Sequence, residues 1–348
     1  MAFVCLIVQL VTGFIITMFY YPSIDLAFYS IEYFMRSFSY GWLIRYIHSN
    51  GASIFFILVY IHIGRGIFYK SYNKMFLWIS GFLLWFILMA VSFLGYVLPW
   101  GQMSYWGCMV ITSLCTVIPF AGEYILHWIW GGNIISEITL MRLYSLHFLL
   151  PFILLSLSIY HMLLLHVEGS YTPIGIENFD YLSFYPYFLI KDMFGLVFIL
   201  LFLYFYLVIF NPNKLGETLN YLQANDIKTP AHIVPEWYFL PFYCMLRCIP
   251  HKALGIFCMF FSMVIIALLA FYPNSLIPTK FDLIHKYLFT LFIVTCINLE
   301  WLATQLMTDY IIFYSRVWTI IYFLYFILLY INYIIENCLI TYLYKKKK

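Results

Sequence analysis

Eight apolar runs, each close to bilayer length, set the first limit on this chain: roughly 1–21, 43–68, 76–98, 143–167, 192–210, 254–272, 285–303 and 316–338. A membrane-crossing helix needs about 20 predominantly apolar residues. In hydrocarbon its backbone groups must bond within the segment, so each run is expected to be helical. The composition agrees: of 348 residues, 65% are hydrophobic and 9% charged, against about 25% charged in soluble domains. An ordinary soluble globule is excluded, and so is a disordered chain. The expected fold class is an all-α membrane protein with eight transmembrane helices. The net charge of +3 supports no nucleic-acid reading.

The run at 110–120 is about half the spanning length and follows Pro99-Trp100-Gly101, so it is expected to lie on the membrane surface. No basic region or small-residue cleavage pattern accompanies the first run, so a removed signal peptide is not expected. Eight cysteines are scattered with no Cys-x-x-Cys or Cys-x-x-Cys-His, which argues against a zinc site or a covalent c-type haem. An even number of spans puts both termini on one side. Arg65, Lys70, Lys74 and the four-lysine tail share that side, which the positive-inside rule makes the inner one. The second and fourth spans then run parallel, and the long loops 99–142 and 211–253 both face outward. Long ordered loops in a compact protein are often functional.

Against this background four histidines stand out. His48 and His62 lie in the second span, His147 and His161 in the fourth, each pair 14 residues apart. Fourteen residues make about four helical turns, so the members of a pair share a face and stand roughly 21 Å apart. Parallel spans set His48 level with His147, and His62 level with His161. A single imidazole at this depth is commonly a satisfied polar group or part of a proton relay. Two matched pairs are accounted for by axial bis-histidine ligation of two haems. Zinc fits less well, because nothing nearby supplies two further ligands. Arg45, three residues before His48, and Arg65, three after His62, could pair with haem propionates or simply snorkel. Gly81 and Gly95 repeat the interval of 14; each would let a flat ring approach the backbone, or would serve ordinary helix packing. Pro151 is expected to kink the fourth span.

The segments R-Y-I-H-S-N-G-A-S (45–53), H-I-G-R-G (62–66), G-Y-V-L-P-W-G-Q-M-S-Y-W-G (95–107), H-F-L-L-P-F (147–152), K-D-M-F-G (191–195) and P-E-W-Y-F-L (235–240) resemble the cytochrome b family of the respiratory bc complex, over nearly the whole chain. The resemblance implies two non-covalent b-type haems. A low-potential haem near the outer face is held by His48 and His147, with Gly13 facing it; a high-potential haem nearer the inner face is held by His62 and His161. It implies a haem-binding four-helix bundle in residues 1–190. The remaining spans and the quinol-site loop 211–253 then belong to residues 191–348. It also implies a ubiquinol–cytochrome c reductase (complex III) in the mitochondrial inner membrane. There the protein is a dimer and works with a Rieske iron–sulfur protein, a c-type cytochrome and further subunits. Ubiquinol is oxidised at the outer site, one electron passing to the iron–sulfur protein and the other through the haems to quinone at the inner site.

The residues can be asked about both quinone sites. In the outer loop, Glu236 follows Pro235 and precedes Trp237 and Tyr238. A carboxylate so shielded could accept a proton from a quinol hydroxyl, or could cap a helix. Tyr96, Gly107 and Tyr243 match positions that the family places around this pocket. For the inner site, His166 lies five residues past His161, and Lys191 and Asp192 open the fifth span. His166 and Asp192 could hold both quinone oxygens and supply protons, or could be a surface histidine and a helix-dipole acid. Ser170 matches a further family position.

The pattern also departs from the family. The counterpart of Gly13, 14 residues earlier, would precede Met1, as would the family's amphipathic first helix; the N-terminus is shortened or the chain incomplete. Tyr171 stands where relatives often carry asparagine, Ala303–Met307 replaces a Gly-Gln-Pro-Val-Glu-like run, and Glu300 is an acid within an apolar span. Two other classes remain in view. A dihaem subunit of another dehydrogenase would explain the histidines but not Pro-Glu-Trp-Tyr. A haem-free transporter would have no reason for matched spacing.

Overall fold

The computed structural model describes residues 1–170 and 182–347, so Tyr171 lies outside the described residues. Among these the chain is helical, with one isolated antiparallel bridge between Gly101 and Gln223. The helices are α1 (Ala2–Thr17), α2 (Ala27–Ser37), α3 (Gly41–Phe68), α4 (Met75–Val97), α5 (Gln102–Thr112), α6 (Gly122–Trp130), α7 (Glu137–Glu168), α8 (Leu189–Phe198), α9 (Leu240–Cys248), α10 (Lys252–Leu268), α11 (Leu283–Thr304) and α12 (Asp309–Lys347). Six of them, α3, α4, α7, α10, α11 and α12, are long and apolar enough to cross a membrane.

The other two expected spans take different forms. The first is the 16-residue α1, about 24 Å long at 1.5 Å per residue, against a hydrocarbon core of about 30 Å. The fifth is divided between α8 and a π-helical stretch, Ile199–Phe210. The surface run expected at 110–120 is shared by the end of α5, a 3-10 turn at Ser113–Val117 and the approach to α6. Gly131, at φ 75°, ends α6 in the left-handed region that favours glycine. Pro151 lies inside α7, which continues past it.

The chain forms two compact units, each discontinuous in sequence. Unit 1 is Met1–Tyr60, Leu84–Ser158 and Leu182–Glu236; unit 2 is Ile61–Leu83, Ile159–Tyr181 and Trp237–Lys348. The boundaries cut through α3, α4 and α7, so each of these helices contributes one stretch to each unit.

In unit 1 an apolar core of Tyr20, Ala27, Ile31, Leu94, Val97, Trp100, Tyr105, Cys108, Leu140 and Leu143 packs the start of α5 against its neighbours. Beside it the two long loops are joined. The Gln102 backbone N–H donates to Leu222 O at 2.9 Å, and its side-chain amide donates to Lys228 O at 3.1 Å and accepts from Asn225 N at 2.8 Å. Asn220 Oδ1 accepts from both the backbone N–H and the hydroxyl of Ser104. Gln102 and Ser104 are buried, and unpaired polar groups there would be costly. In unit 2, Phe292 packs on Tyr322, Tyr325 and Phe326, and the Trp78 indole N–H donates to Ile266 O at 2.8 Å.

Asn50 ties α3 to the π-helix and to the segment just after it. Its buried amide donates to Leu207 O at 3.1 Å and Pro212 O at 2.9 Å. Asn50→Ala leaves both carbonyls without this donor and is expected to cost about 1–3 kcal/mol; denaturant unfolding of the detergent-solubilised protein measures it.

Candidate functional site

Each unit holds one pair of imidazoles. In unit 1 the rings of His48 on α3 and His147 on α7 have centroids 6.3 Å apart. In unit 2 the rings of His62 on α3 and His161 on α7 are also 6.3 Å apart. An imidazole nitrogen sits about 2.0–2.1 Å from a bound metal and roughly 1.1 Å from its own ring centre. Two imidazoles on opposite sides of one ion therefore have centroids about 6.2–6.4 Å apart, and both pairs match. Among the described residues no group of three or more His, Cys, Asp or Glu is placed to hold a metal ion. Two axial nitrogens without further protein ligands suit a metal whose remaining positions come from a macrocycle, as in haem, and not a tetrahedral zinc.

The hydrogen bonds behind the rings decide which nitrogen faces the gap. Thr12 Oγ1 donates to Val8 O at 2.7 Å and lies 3.0 Å from His48 Nδ1. With its own hydrogen committed, the hydroxyl can only accept from Nδ1–H. Ser80 repeats this: Oγ donates to Leu77 O at 2.9 Å and lies 2.8 Å from His161 Nδ1. His147 Nδ1 lies 2.9 Å from Val91 O, which can only accept. In all three rings Nδ1 carries the proton and Nε2 keeps its lone pair, the tautomer a metal ligand needs.

Sequence reasoning missed Thr12, Ser80 and Val91. The first two carried a signal, since each is a hydroxyl residue immediately before a glycine singled out above, Gly13 and Gly81. The glycines themselves pack against the imidazoles. A Cβ on Gly13 would lie 2.9 Å from His48 Cε1, one on Gly95 2.5 Å from His147 Cε1, and one on Gly81 3.1 Å from His161 Cε1. At these three glycines the backbone is thus approached closely by an imidazole ring. Of the two arginines, Arg45 is half-buried and Arg65 is exposed, stacking over Tyr69 at 5.6 Å.

Glu236 is the last residue of unit 1. Burial lifts its carboxyl from 4.5 to about 7; a hydrogen bond with Tyr96 opposes the shift, and Glu217 adds to it. Pro235 is half-buried, and a Cβ on Gly107 would meet nothing within 4 Å. In unit 2, Tyr238 is buried and Tyr243 carries the Arg247 guanidinium over its ring at 5.4 Å. Of the residues expected at the inner site, His166 lies in the last turn of α7, and Ser170 two residues beyond that helix. Lys191 and Asp192 lie in the first turn of α8, and all four are exposed. Glu300 is half-buried on α11.

Helices of crossing length carrying two imidazole pairs at metal-ligand spacing fit the class of membrane cytochromes with bis-histidine sites. The comparisons narrow this. Residues 1–169 match the family model described as cytochrome b/b6/petB, and residues 223–323 the one described as cytochrome b (C-terminal)/b6/petD. Cytochrome b of Dictyostelium citrinum is 47% identical over 350 residues, covering 99% of this chain and 90% of that protein. Cytochrome b of Chondrus crispus is 45% identical over 330 residues, covering 94% and 86%. A chain from the solved structure of a hyperthermophilic respiratory complex III superposes with a TM-score of 0.91 at 33% identity, covering 96% of this chain and 90% of that one. The chain belongs to the cytochrome b family.

Gly95→Ala puts a methyl group into the His147 ring and is expected to lower haem b content sharply, read from the reduced-minus-oxidised spectrum of membranes. Gly132→Ala, where a Cβ meets nothing within 4 Å, is expected to leave that content unchanged.

Proposed function

We propose that this protein is the electron-transfer core of a ubiquinol–cytochrome c reductase, respiratory complex III. The observation that carries the reading is the pair of imidazole couples, each with a 6.3 Å centroid separation, in a member of the cytochrome b family. The superposable chain comes from a respiratory complex III, which supports the assembly. In this reading His48 with His147, and His62 with His161, would hold two b-type haems. The bound haems supply a one-electron route between an outer and an inner quinone site.

The rest is the work of the chain's own residues. Thr12, Ser80 and the Val91 carbonyl hold three ligand rings in the binding tautomer, and Gly13, Gly81 and Gly95 give those rings room. Arg45 and Arg65 neutralise propionates. At the outer site, Glu236 takes the proton from a ubiquinol hydroxyl; a carboxyl poised near 7 is matched to that exchange at neutral pH. The family resemblance assigns Pro235, Tyr238, Tyr96, Gly107 and Tyr243 to the same outer site. The family resemblance assigns His166 and Asp192, with Lys191 and Ser170, to the inner site, where an imidazole and a carboxylate would bind quinone oxygens and return protons to them.

The same reading counts α1 and the 189–210 segment with the six long helices as eight spans. It groups the first four as the haem-binding bundle of residues 1–190 and assigns residues 191–348 the remaining spans and the quinol loop 211–253. The partners are a Rieske iron–sulfur protein, a c-type cytochrome and further subunits, in a dimeric complex of the mitochondrial inner membrane.

Quinol oxidation tests the reading. The base form of Glu236 predominates only above pH about 7, so the rate is expected to rise through that pH. In Glu236→Gln the rate should fall at least tenfold, consistent with a lost general base. Its remaining pH dependence should be flatter and its haem spectrum intact. Loss of haem in this variant would assign Glu236 to the fold instead.

A further inference from the structure

Unit 2 contains a buried charged cluster unconnected with the quinone chemistry above. Lys70 follows α3, Asp282 caps α11, and Glu336 lies near the end of α12; all three are buried, at 1%, 3% and 6% exposure. Lys70 adopts φ 60°, uncommon for a residue other than glycine, and its ammonium is fully used. Nζ donates to Asp282 Oδ2 at 2.5 Å, Ser275 Oγ at 2.7 Å and Ile277 O at 2.9 Å. An ammonium has three hydrogens, so none is left for Glu336. That carboxyl instead meets neutral donors, Ser275 Oγ at 2.7 Å and Asn332 Nδ2 at 2.5 Å.

The charges do not balance. Of the other titratable groups facing the cluster, His285 and Tyr333 are accounted for as neutral. His285 is fully buried in the same cluster as the Lys70 ammonium, and both disfavour a charged ring; Nε2, 2.9 Å from Phe68 O, carries its one hydrogen, and Nδ1 then accepts from the Tyr333 hydroxyl at 3.1 Å. The Tyr333 hydroxyl also meets that of Tyr72. One lysine therefore faces two acids, and an uncompensated charge at this depth is costly. Asp282 is the bound counter-ion: besides Lys70 it accepts the His285 backbone N–H at 2.9 Å.

We propose that this cluster is a proton-binding site, with one exchangeable proton held on Glu336 against the ionised Asp282–Lys70 pair. The bound proton leaves the cluster neutral, and the neutral cluster ties the α3–α4 connection and the segment before α11 to α12. Removing the proton leaves a buried negative charge, so the tie weakens in alkali.

Infrared spectroscopy of the purified holoprotein in H2O and D2O tests this. The wild-type-minus-Glu336→Gln spectrum at neutral pH is expected to show the C=O stretch of a neutral carboxylic acid that shifts on deuteration. Because glutamine mimics the neutral acid, that variant should assemble with wild-type haem content. Its unfolding temperature should also decline less with rising pH than the wild type's. In Asp282→Asn, Glu336 becomes the sole counter-ion of Lys70 and the same band should disappear. Loss of carboxylate bands in the Glu336→Gln spectrum would overturn the proposal. So would failure of that variant to assemble, or persistence of the acid band in Asp282→Asn.

Discussion

An imidazole at membrane depth has two nitrogens to satisfy, and this structure satisfies them differently. Nδ1 of His147 faces a carbonyl, which can only accept, and Nδ1 of His48 and of His161 faces a hydroxyl that already donates to a backbone carbonyl, so the lone pair is left on Nε2. The rest of the site follows from that asymmetry. A histidine with both nitrogens bonded to protein would be a satisfied polar residue and nothing more. With the lone pair on Nε2 and a second such ring at metal distance, the same residue is suited to be half of a ligand set. The hydroxyls of Thr12 and Ser80 are as necessary as the histidines, because each has already spent its hydrogen on the turn below.

Polar satisfaction also explains how the outer loops are held. Gln102 and Ser104 are buried beside the start of α5, and their partners come from residues 220–228, more than 100 positions later. Such bonds add modest net stability but are expensive to leave unmade, so they fix which loop meets which. Glu236, within the second loop, is poised near 7 by the same kind of burial that makes the loop bonds obligatory.

The long helices and the histidine pairing were legible in the sequence because both are periodic signals. Hydrophobic runs of spanning length and an interval of 14 on two runs survive any detail of packing. Other features depend on contacts distant in sequence and left little or no trace. Lys70 read as one basic residue among several near the membrane edge; its burial against Asp282 and Ser275 requires partners more than 200 positions away. The break of 189–210 into an α-helical and a π-helical part also escaped, because hydropathy does not distinguish one helical hydrogen-bond pattern from another. The glycines stood out by their spacing, whereas the imidazole that packs against each of them is seen only in the folded geometry.

The central claim is that the two imidazole pairs are two separate haem sites. A potentiometric titration of the purified complex, followed by its reduced-minus-oxidised spectrum, tests it most directly. The account predicts two b-type components of equal amount that titrate at different potentials. A single component, or no haem signal, would contradict it.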